Sequence, residues 1–173
     1  MAHIQSFKNT SDDTLDKLRE SGCSELFIGL ESGSPKIIDM IRKTSDAQTI
    51  IHTLTHLFKA GINIKGYFIM GFPDETENDL ELTYNMASTI KELSARYSAR
   101  FRVSVFQFRP YHGTAIYNYI LSTQGSVPQI EQSDDLSAHI GRRQFNFSSG
   151  NFGDCSDATL FHYLKAMDDL NRR

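Results

Sequence analysis

Three short segments of this sequence combine glycine with polar or charged side chains directly after apolar stretches: residues 31–34, 71–76 and 109–114. The first segment offers a carboxylate at Glu31 and hydroxyls at Ser32 and Ser34. Carboxylates and hydroxyls accept hydrogen bonds, so this segment could hold the hydroxyls of a ribose or the polar ends of an amino acid. A second interpretation stays open, in which Ser34 caps a helix and Glu31 lies in solvent.

The other two segments could contact further parts of a ligand. In residues 71–76, the glycine allows close approach to the backbone, and the helix start that follows attracts anionic groups. In residues 109–114, Tyr111 could stack on a flat ring, and backbone groups beside the glycine could pair with an adenine edge. Plain turns and structural side chains are the alternatives in both segments. His112 is not predicted to be catalytic, because no partner for it can be identified from the sequence.

Alternating strand and helix patterns must position these segments. Apolar runs predict strands at residues 26–30, 62–70 and 101–108. Apolar side chains at three- and four-residue spacing predict helices at residues 46–60 and 77–93. This order favours parallel pairing with right-handed crossovers, so the sequence predicts an α/β fold. In a parallel α/β barrel the segments that follow the strands lie at one edge, where ligands bind.

Local signals predict the limits of several elements. The residues predicted to cap helices at their start are Ser11, Ser34, Thr76 and Ser156. Gly22 is predicted to end the first helix in a left-handed conformation. Residues 3–7 are predicted to form a further strand, and residues 26–30 a strand covered on both faces. The pattern stops after Leu121, which predicts a barrel-like unit at residues 1–121 and an irregular extension with a final helix at residues 122–173.

Composition and charge argue against several classes of protein. A formal net charge of -3 provides no basic surface for nucleic acid. No apolar run approaches the roughly 20 residues that span a bilayer, and the first ten residues contain no signal-peptide core, so a cytoplasmic location is expected. Cys23 and Cys155 are expected to be free thiols. No residue of the chain is predicted to be catalytic or to bind a metal.

The three segments together resemble a known family. The stretches GCSELFIGLESGSPKIIDMIRK, LFKAGINIKGYFIMGFPDETENDLELT and FQFRPYHGTAIY are similar to the second half of a radical S-adenosylmethionine (SAM) barrel. The resemblance is strongest to the branch whose members often carry a cobalamin-binding domain, and to the methylthiotransferases. It covers residues 22–117 and implies a partial, incomplete TIM-like barrel of parallel strands that contributes to a SAM and substrate site.

The resemblance also assigns residues to the cofactor. The residues assigned to the SAM site are Glu31, Ser32, Ile69, Gly71, Glu75, Arg109 and Tyr111. The first two match positions that contact the ribose or methionine part, the next three match the adenosine side, and the last two belong to the segment that helps to hold the adenine. Two roles are open to Glu75: accepting a hydrogen bond from SAM, or holding its loop by capping free amides. His112 departs from the family, which commonly has proline there.

One hallmark of the family is missing from the sequence. Radical SAM enzymes hold a [4Fe–4S] cluster with three cysteines in a CxxxCxxC segment, and this chain has two cysteines in all. The resemblance therefore implies an expressed fragment, a truncated product or one piece of a split protein, inactive without the N-terminal half of the barrel. The longer protein is expected to perform methyl transfer, sulfur insertion or rearrangement on a substrate that the sequence does not identify. Cobalamin is a further cofactor that the resemblance suggests.

Two other functions remain open from the sequence. The chain could be a non-catalytic half-barrel that binds SAM or a partner, or part of an unrelated barrel lyase. A lyase should present a lysine or paired acids at its strand ends, whereas this sequence presents Glu31, Glu75 and Arg109 there. An open half-barrel exposes strand edges, so we expect the isolated chain to be marginally stable or to associate, unless the C-terminal segment covers an edge.

The cysteine count leads to a first prediction. Anaerobic treatment of this chain with iron and sulfide should yield no [4Fe–4S] cluster, because three thiolate ligands are required and two cysteines are present. Iron and sulfide analysis together with visible absorption spectroscopy measures the outcome. A stoichiometric cluster with the usual broad absorbance would contradict the prediction.

Overall fold

The computed structural model describes residues 2–44, 46–125 and 150–172. Its strands are β1 (Glu25–Glu31), β2 (Asn63–Met70) and β3 (Phe101–Gln107). Its α-helices are α1 (Asp12–Glu20), α2 (Pro35–Met40), α3 (Ala47–Lys59), α4 (Glu77–Arg96), α5 (Ala115–Gln124) and α6 (Asp157–Asp169). Short 3₁₀ helices cover Ile4–Phe7 and Leu170–Arg172.

The three strands form one parallel sheet in the order β1-β2-β3. Ile64 of β2 lies opposite Leu26 on one side and Phe101 on the other. Helices α2 and α3 connect β1 to β2, and α4 connects β2 to β3. The predicted α/β fold with parallel strands is therefore confirmed. Because the strands run in one direction, the three polar segments that follow them lie along the carboxyl edge of the sheet.

Side-chain caps begin the helices at the predicted residues. The Ser11 hydroxyl accepts a backbone N–H of α1, and the Ser156 hydroxyl does the same for α6. Thr76 and Asp79 form a reciprocal capping box at the start of α4. Gly22 follows α1 with a φ of +93°, as its predicted left-handed role requires. These interactions join residues close in sequence, which explains why the pattern alone predicted them.

The two faces of the sheet lie in different environments. On one face, alternate residues of β2 such as Ile64 and Phe68 are fully buried under helices α1, α3, α4 and α6. The intervening residues, including Lys65 and Tyr67, are half-exposed and mark the second face, which we name the open face. On this face the Tyr67 ring stacks on Phe106 at 5.9 Å. A parallel sheet with helices on one face and an open second face is the arrangement of a partial barrel.

Both edges of the sheet are partly covered. At β3, the Val103 N–H donates to Asn171 Oδ1 at 2.8 Å, and Asn171 Nδ2 donates to the Val103 carbonyl at 2.9 Å. This amide side chain thereby takes the place of a neighbouring strand. At β1, Ala2 forms a parallel bridge with Ile28. The C-terminal segment thus covers one edge, which the sequence had raised as a condition for stability.

Three local predictions differ from the structure. Residues 3–7 do not form a strand, because the chain turns into a 3₁₀ helix that buries Ile4, and the pairing with β1 occurs at Ala2 instead. The strand at residues 26–30 is not covered on both faces, since Phe27 lies on the open face and is 39% exposed. The helical pattern continues past Leu121 to the end of α5. The irregular segment predicted after it falls largely on residues 126–149, which lie outside the described residues.

The contact between Asn171 and Val103 leads to a prediction on stability. Asn171→Ala should lower the free energy of unfolding by about 1–2 kcal/mol, because two hydrogen bonds to the edge of β3 are lost. Arg172→Ala is the matched control, since the Arg172 side chain is 81% exposed in a surface ion pair and should contribute little. Urea unfolding of both variants measures the difference. Equal stability of the two would show that the edge contact does not stabilise the fold.

Candidate functional site

Glu31 ends β1 and turns its carboxylate onto the open face. A Cβ added to Gly29 would lie 2.4 Å from Glu31 Oε1, so the carboxylate lies directly over that glycine. Lys43 Nζ donates to Glu31 Oε1 at 2.8 Å and to the Gly29 carbonyl at 3.1 Å. Within the described residues, Lys43 donates to Glu31 Oε1, and Glu31 Oε2 can still accept hydrogen bonds. About a fifth of each side chain is exposed, so a ligand on the open face can reach the pair.

Left-handed backbone conformations occur at Glu31 and beside Lys43. Glu31 has a φ of +64°, and the pairing of β1 with β2 shifts register beside it. Arg42, which precedes Lys43, has a φ of +56°. Left-handed conformations at residues other than glycine cost of the order of 1–3 kcal/mol each. At Arg42 this conformation ends α2 in the usual way, because the Arg42 and Lys43 N–H groups donate to the Asp39 and Ile38 carbonyls. A partly exposed ion pair contributes about 0–1 kcal/mol, so the pair alone does not offset the strain at Glu31.

Ser32 and Ser34 belong to a buried polar network. The Ser32 hydroxyl shares a hydrogen bond of 2.9 Å with Thr83 of α4 and accepts the Ser34 N–H at 3.1 Å. The intervening Gly33 lies against α4, where a Cβ would lie 2.5 Å from the Leu82 carbonyl. The segment after β1 is therefore fastened to the helix that follows β2, and the Ser32 side chain points into the protein.

Asp79 connects this network to the second polar segment. Its Oδ1 accepts the Ser34 hydroxyl at 2.6 Å, and its Oδ2 accepts the Thr76 N–H at 2.9 Å and the Thr76 hydroxyl at 2.7 Å. Burial disfavours the charged carboxylate, but hydrogen bonds from Ser34 and Thr76 and the charge of Lys36 lower the pKa of Asp79 below its ordinary value. One carboxylate thus holds the starts of α2 and α4 together.

Glu75 lies fully buried inside the second segment. Its Oε2 accepts the N–H groups of Gly71 at 2.5 Å and Phe72 at 3.1 Å, while Oε1 has no hydrogen-bond partner among the described residues. The Asp154 N–H donates to the Glu75 carbonyl and so places the C-terminal segment over the loop. Burial raises the pKa of Glu75 to about 7, although hydrogen bonds from Gly71 and Phe72 oppose the shift. Of the two roles open to Glu75, these hydrogen bonds match the second, in which its side chain holds the loop by capping free amides.

The third segment is the most exposed of the three. Tyr111 is 62% exposed, and the Arg109 guanidinium lies 5.4 Å from its ring centre. His112 packs edge-on against Tyr117, and Thr114 caps α5. An exposed aromatic ring beside a cation suits contact with a flat ligand ring.

The residues predicted for the SAM site lie at one edge of the sheet but face different surroundings. Glu31 and half-buried Ile69 belong to the open face, whereas Ser32 and Glu75 make their hydrogen bonds inside the protein. Their roles toward a ligand stay predictions. Sequence reasoning missed Lys43, because its spacing of twelve residues from Glu31 matches no short-range helix or strand contact.

The described residues show no preformed metal site. Among residues 2–44, 46–125 and 150–172 there is no group of three or more His, Cys, Asp or Glu that could hold a metal ion. Cys23 and Cys155 are both free thiols. In the same described ranges, the helices are too short or too polar to cross a membrane.

The pKa of Glu75 leads to a prediction on pH. Its folded-state pKa of about 7 lies above the ordinary value of 4.5, so its protonated form stabilises the fold below pH 4.5 and this contribution is lost as the pH rises to about 7. The loss amounts to about 3 kcal/mol. Glu75→Gln mimics the protonated carboxyl, so the wild type should lose about that much stability relative to this variant between pH 4.5 and 8.

Chemical unfolding across this pH range measures the effect. Glu77→Gln is the matched control, because Glu77 is an exposed carboxylate two residues away, at the start of α4. Parallel stability profiles for the wild type and Glu75→Gln would contradict the assignment of the titration to Glu75.

Comparison with known proteins adds independent information. Residues 3–87 match the radical SAM superfamily. The chain is 35% identical over 115 residues to an uncharacterized methyltransferase of Pyrococcus horikoshii, covering 66% of this chain and 23% of that protein. It is 39% identical over 66 residues to bacteriochlorophyllide d C-12(1)-methyltransferase of Chlorobaculum tepidum, covering 38% and 14%. It is 26% identical over 130 residues to tRNA-2-methylthio-N(6)-dimethylallyladenosine synthase of Petrotoga mobilis, covering 74% and 25%.

The chain thus spans a quarter or less of the length of these three relatives. The matched segment contains β1, β2 and the Glu31 and Glu75 loops, which are the features that the fold places at the carboxyl edge. The parallel strands, the order of the elements and the relatives of this chain support the same assignment. Residues 3–87 of this chain belong to the radical SAM superfamily.

Proposed function

We propose that this chain contributes part of a SAM site, in which Glu31 accepts hydrogen bonds from the ribose hydroxyls. The position of Glu31 carries the proposal. Its carboxylate lies on the open face at the carboxyl end of β1, where Lys43 donates to one oxygen. Within the described part of the chain, the other oxygen can still accept hydrogen bonds. An ionised carboxylate forms stronger hydrogen bonds with hydroxyl donors than a neutral acceptor does.

The neighbouring residues also suit SAM. Half-buried Ile69 lies on the open face near the carboxyl end of β2, where it packs against an apolar cluster that includes Ile37 and Phe72, and Gly71 begins the next loop with a φ of +90°. Tyr111 and Arg109 offer a flat ring and a cation at the end of β3. The internal hydrogen bonds of Ser32 and Glu75 favour a supporting role, in which these two side chains hold the loops while the backbone or other side chains meet the cofactor.

The [4Fe–4S] cluster of the family does not fit this chain. Two cysteines cannot supply three thiolates, so any cluster that serves this site would be held by residues other than those of this chain. We therefore assign to this chain the binding and orientation of SAM, and no redox step. For the longer protein we propose methyl or methylthio transfer, since relatives are named for these reactions. The use of cobalamin stays a prediction.

The cysteine count also favours a second candidate function, a half-barrel that binds SAM or a partner without catalysis. The two functions share the binding site and differ in the fate of SAM. Production of 5′-deoxyadenosine after addition of a reductant to the cluster-loaded assembly distinguishes them, because a binding module releases SAM unchanged.

The proposed role of Glu31 leads to a prediction on affinity. Glu31→Gln should weaken SAM binding by about tenfold to 150-fold, because a hydrogen bond to a charged group contributes about 1.5–3 kcal/mol. Isothermal titration calorimetry of SAM into the full chain measures this, with thermal melts to show that both proteins are folded.

Glu25→Gln is the matched control for this experiment. Glu25 lies on the same strand but at its amino end, where it pairs with Arg102 at 2.5 Å. Its replacement removes one charge from β1 without touching the carboxyl edge, so SAM affinity should stay unchanged. An equal loss in both variants, or none in Glu31→Gln, would refute the assigned role.

A further inference from the structure

We propose that Lys43 is a positioning residue, which orients the Glu31 carboxylate so that the site selects ligands with a ribose diol. This inference rests on the proposed function of Glu31 and adds a residue to it. Lys43 is not among the residues that the sequence assigned to the site. Its role follows from three observations on the pair that it forms with Glu31.

The first observation is the geometry of the ammonium group. Lys43 Nζ donates to Glu31 Oε1 at 2.8 Å and to the Gly29 carbonyl at 3.1 Å, so it is bound to both the side chain and the backbone of β1. Two such contacts restrict the rotation of the Glu31 side chain, and among the described residues they leave Oε2 as its available oxygen. A carboxylate fixed in this way does not lose side-chain freedom again when a ligand binds, which improves affinity.

The second observation is the space beneath the pair. A Cβ on Gly29 would lie 2.4 Å from Glu31 Oε1 and 3.3 Å from Lys43 Nζ. The carboxylate and the ammonium therefore occupy the position that a larger side chain of β1 would fill. Because residue 29 is glycine, the pair can lie against the sheet. The Glu31 carboxylate then lies on the open face at the carboxyl edge.

The third observation is the backbone conformation on both sides of the pair. Glu31 and Arg42 hold left-handed conformations without being glycine, with φ values of +64° and +56°. The turn at Arg42 directs Lys43 back toward β1, where the Lys43 N–H closes the turn onto the Ile38 carbonyl at 3.0 Å. At Arg42 the conformation is that of an ordinary helix end, and the strain of the pair lies at Glu31. Strain of this kind persists at sites where a side chain must hold one orientation. A partly exposed ion pair does not account for it by its own stability.

The test compares two probes that differ only in the diol: adenosine and 2′,3′-dideoxyadenosine. The affinity of each for the full chain is measured by calorimetry, and their ratio reports recognition of the hydroxyls. The wild type should bind adenosine at least about tenfold more tightly. Lys43→Met removes the ammonium and keeps the chain length, so the ratio should fall to about one to three, while the affinity for 2′,3′-dideoxyadenosine stays unchanged.

Two further variants separate positioning from folding. Lys43→Arg keeps the charge and has five N–H donors for the two acceptors, so it should restore most of the ratio. Gly29→Ala keeps both charges but places a methyl group where the carboxylate lies, so it should lower the ratio as Lys43→Met does. Thermal melts identify folded variants, and if Lys43→Met does not fold, the ratio in Gly29→Ala decides.

The outcomes distinguish the proposed function of Glu31 from the positioning role of Lys43. A wild-type ratio near one, or a ratio unchanged by Glu31→Gln, overturns the proposed function of Glu31. If Glu31→Gln lowers the ratio and folded Lys43→Met keeps it, Glu31 binds the diol and the positioning role of Lys43 is wrong. An equal loss of affinity for both probes in Lys43→Met also overturns that role, because it shows that Lys43 acts on the whole site.

Discussion

The arrangement of the carboxyl edge depends on the buried hydrogen bonds of Asp79. This one carboxylate accepts the hydroxyl of Ser34, which begins α2, and both the N–H and the hydroxyl of Thr76, which begins α4. Because a buried carboxylate without partners is costly, its hydrogen bonds favour one relative placement of these helix starts. The loops of Glu31 and Glu75 directly precede the two helices, so their positions follow from the same contact.

Two glutamates at the carboxyl edge differ in role because they are buried to different extents. Glu75 lies inside the protein, caps two backbone N–H groups and has a raised pKa. Glu31 lies at the open face, pairs with Lys43 and stays within reach of a ligand. The first stabilises a loop, and the second suits the binding of polar hydroxyls. The carboxylate that carries the proposed function is thus the one with strained backbone and partial exposure.

The one-sided covering of the sheet constrains what this chain can do. Helices bury one face, and the open face presents the row of Phe27, Tyr67 and Phe106 with Lys65 beside it. Asn171 covers part of the edge of β3, and in the part of the chain that the structure describes a single bridge joins Ala2 to β1. A sheet covered by helices on one face agrees with the assignment of residues 3–87 to the radical SAM superfamily.

The sequence by itself determined the three strands of the described sheet, most helix limits and the three polar segments, because apolar periodicity and caps such as Ser11 and Thr76 act between near neighbours. It also determined that two cysteines cannot hold the cluster of the family. Only the tertiary structure decided which side chains face a ligand, since burial depends on elements distant in sequence. Residues 150–155 cover Glu75, α4 engages Ser32, and Lys43 reaches Glu31 across a turn. The sequence pattern of β1 likewise could not foresee that Phe27 lies on an open face, because residues far along the chain decide which side of a sheet is covered.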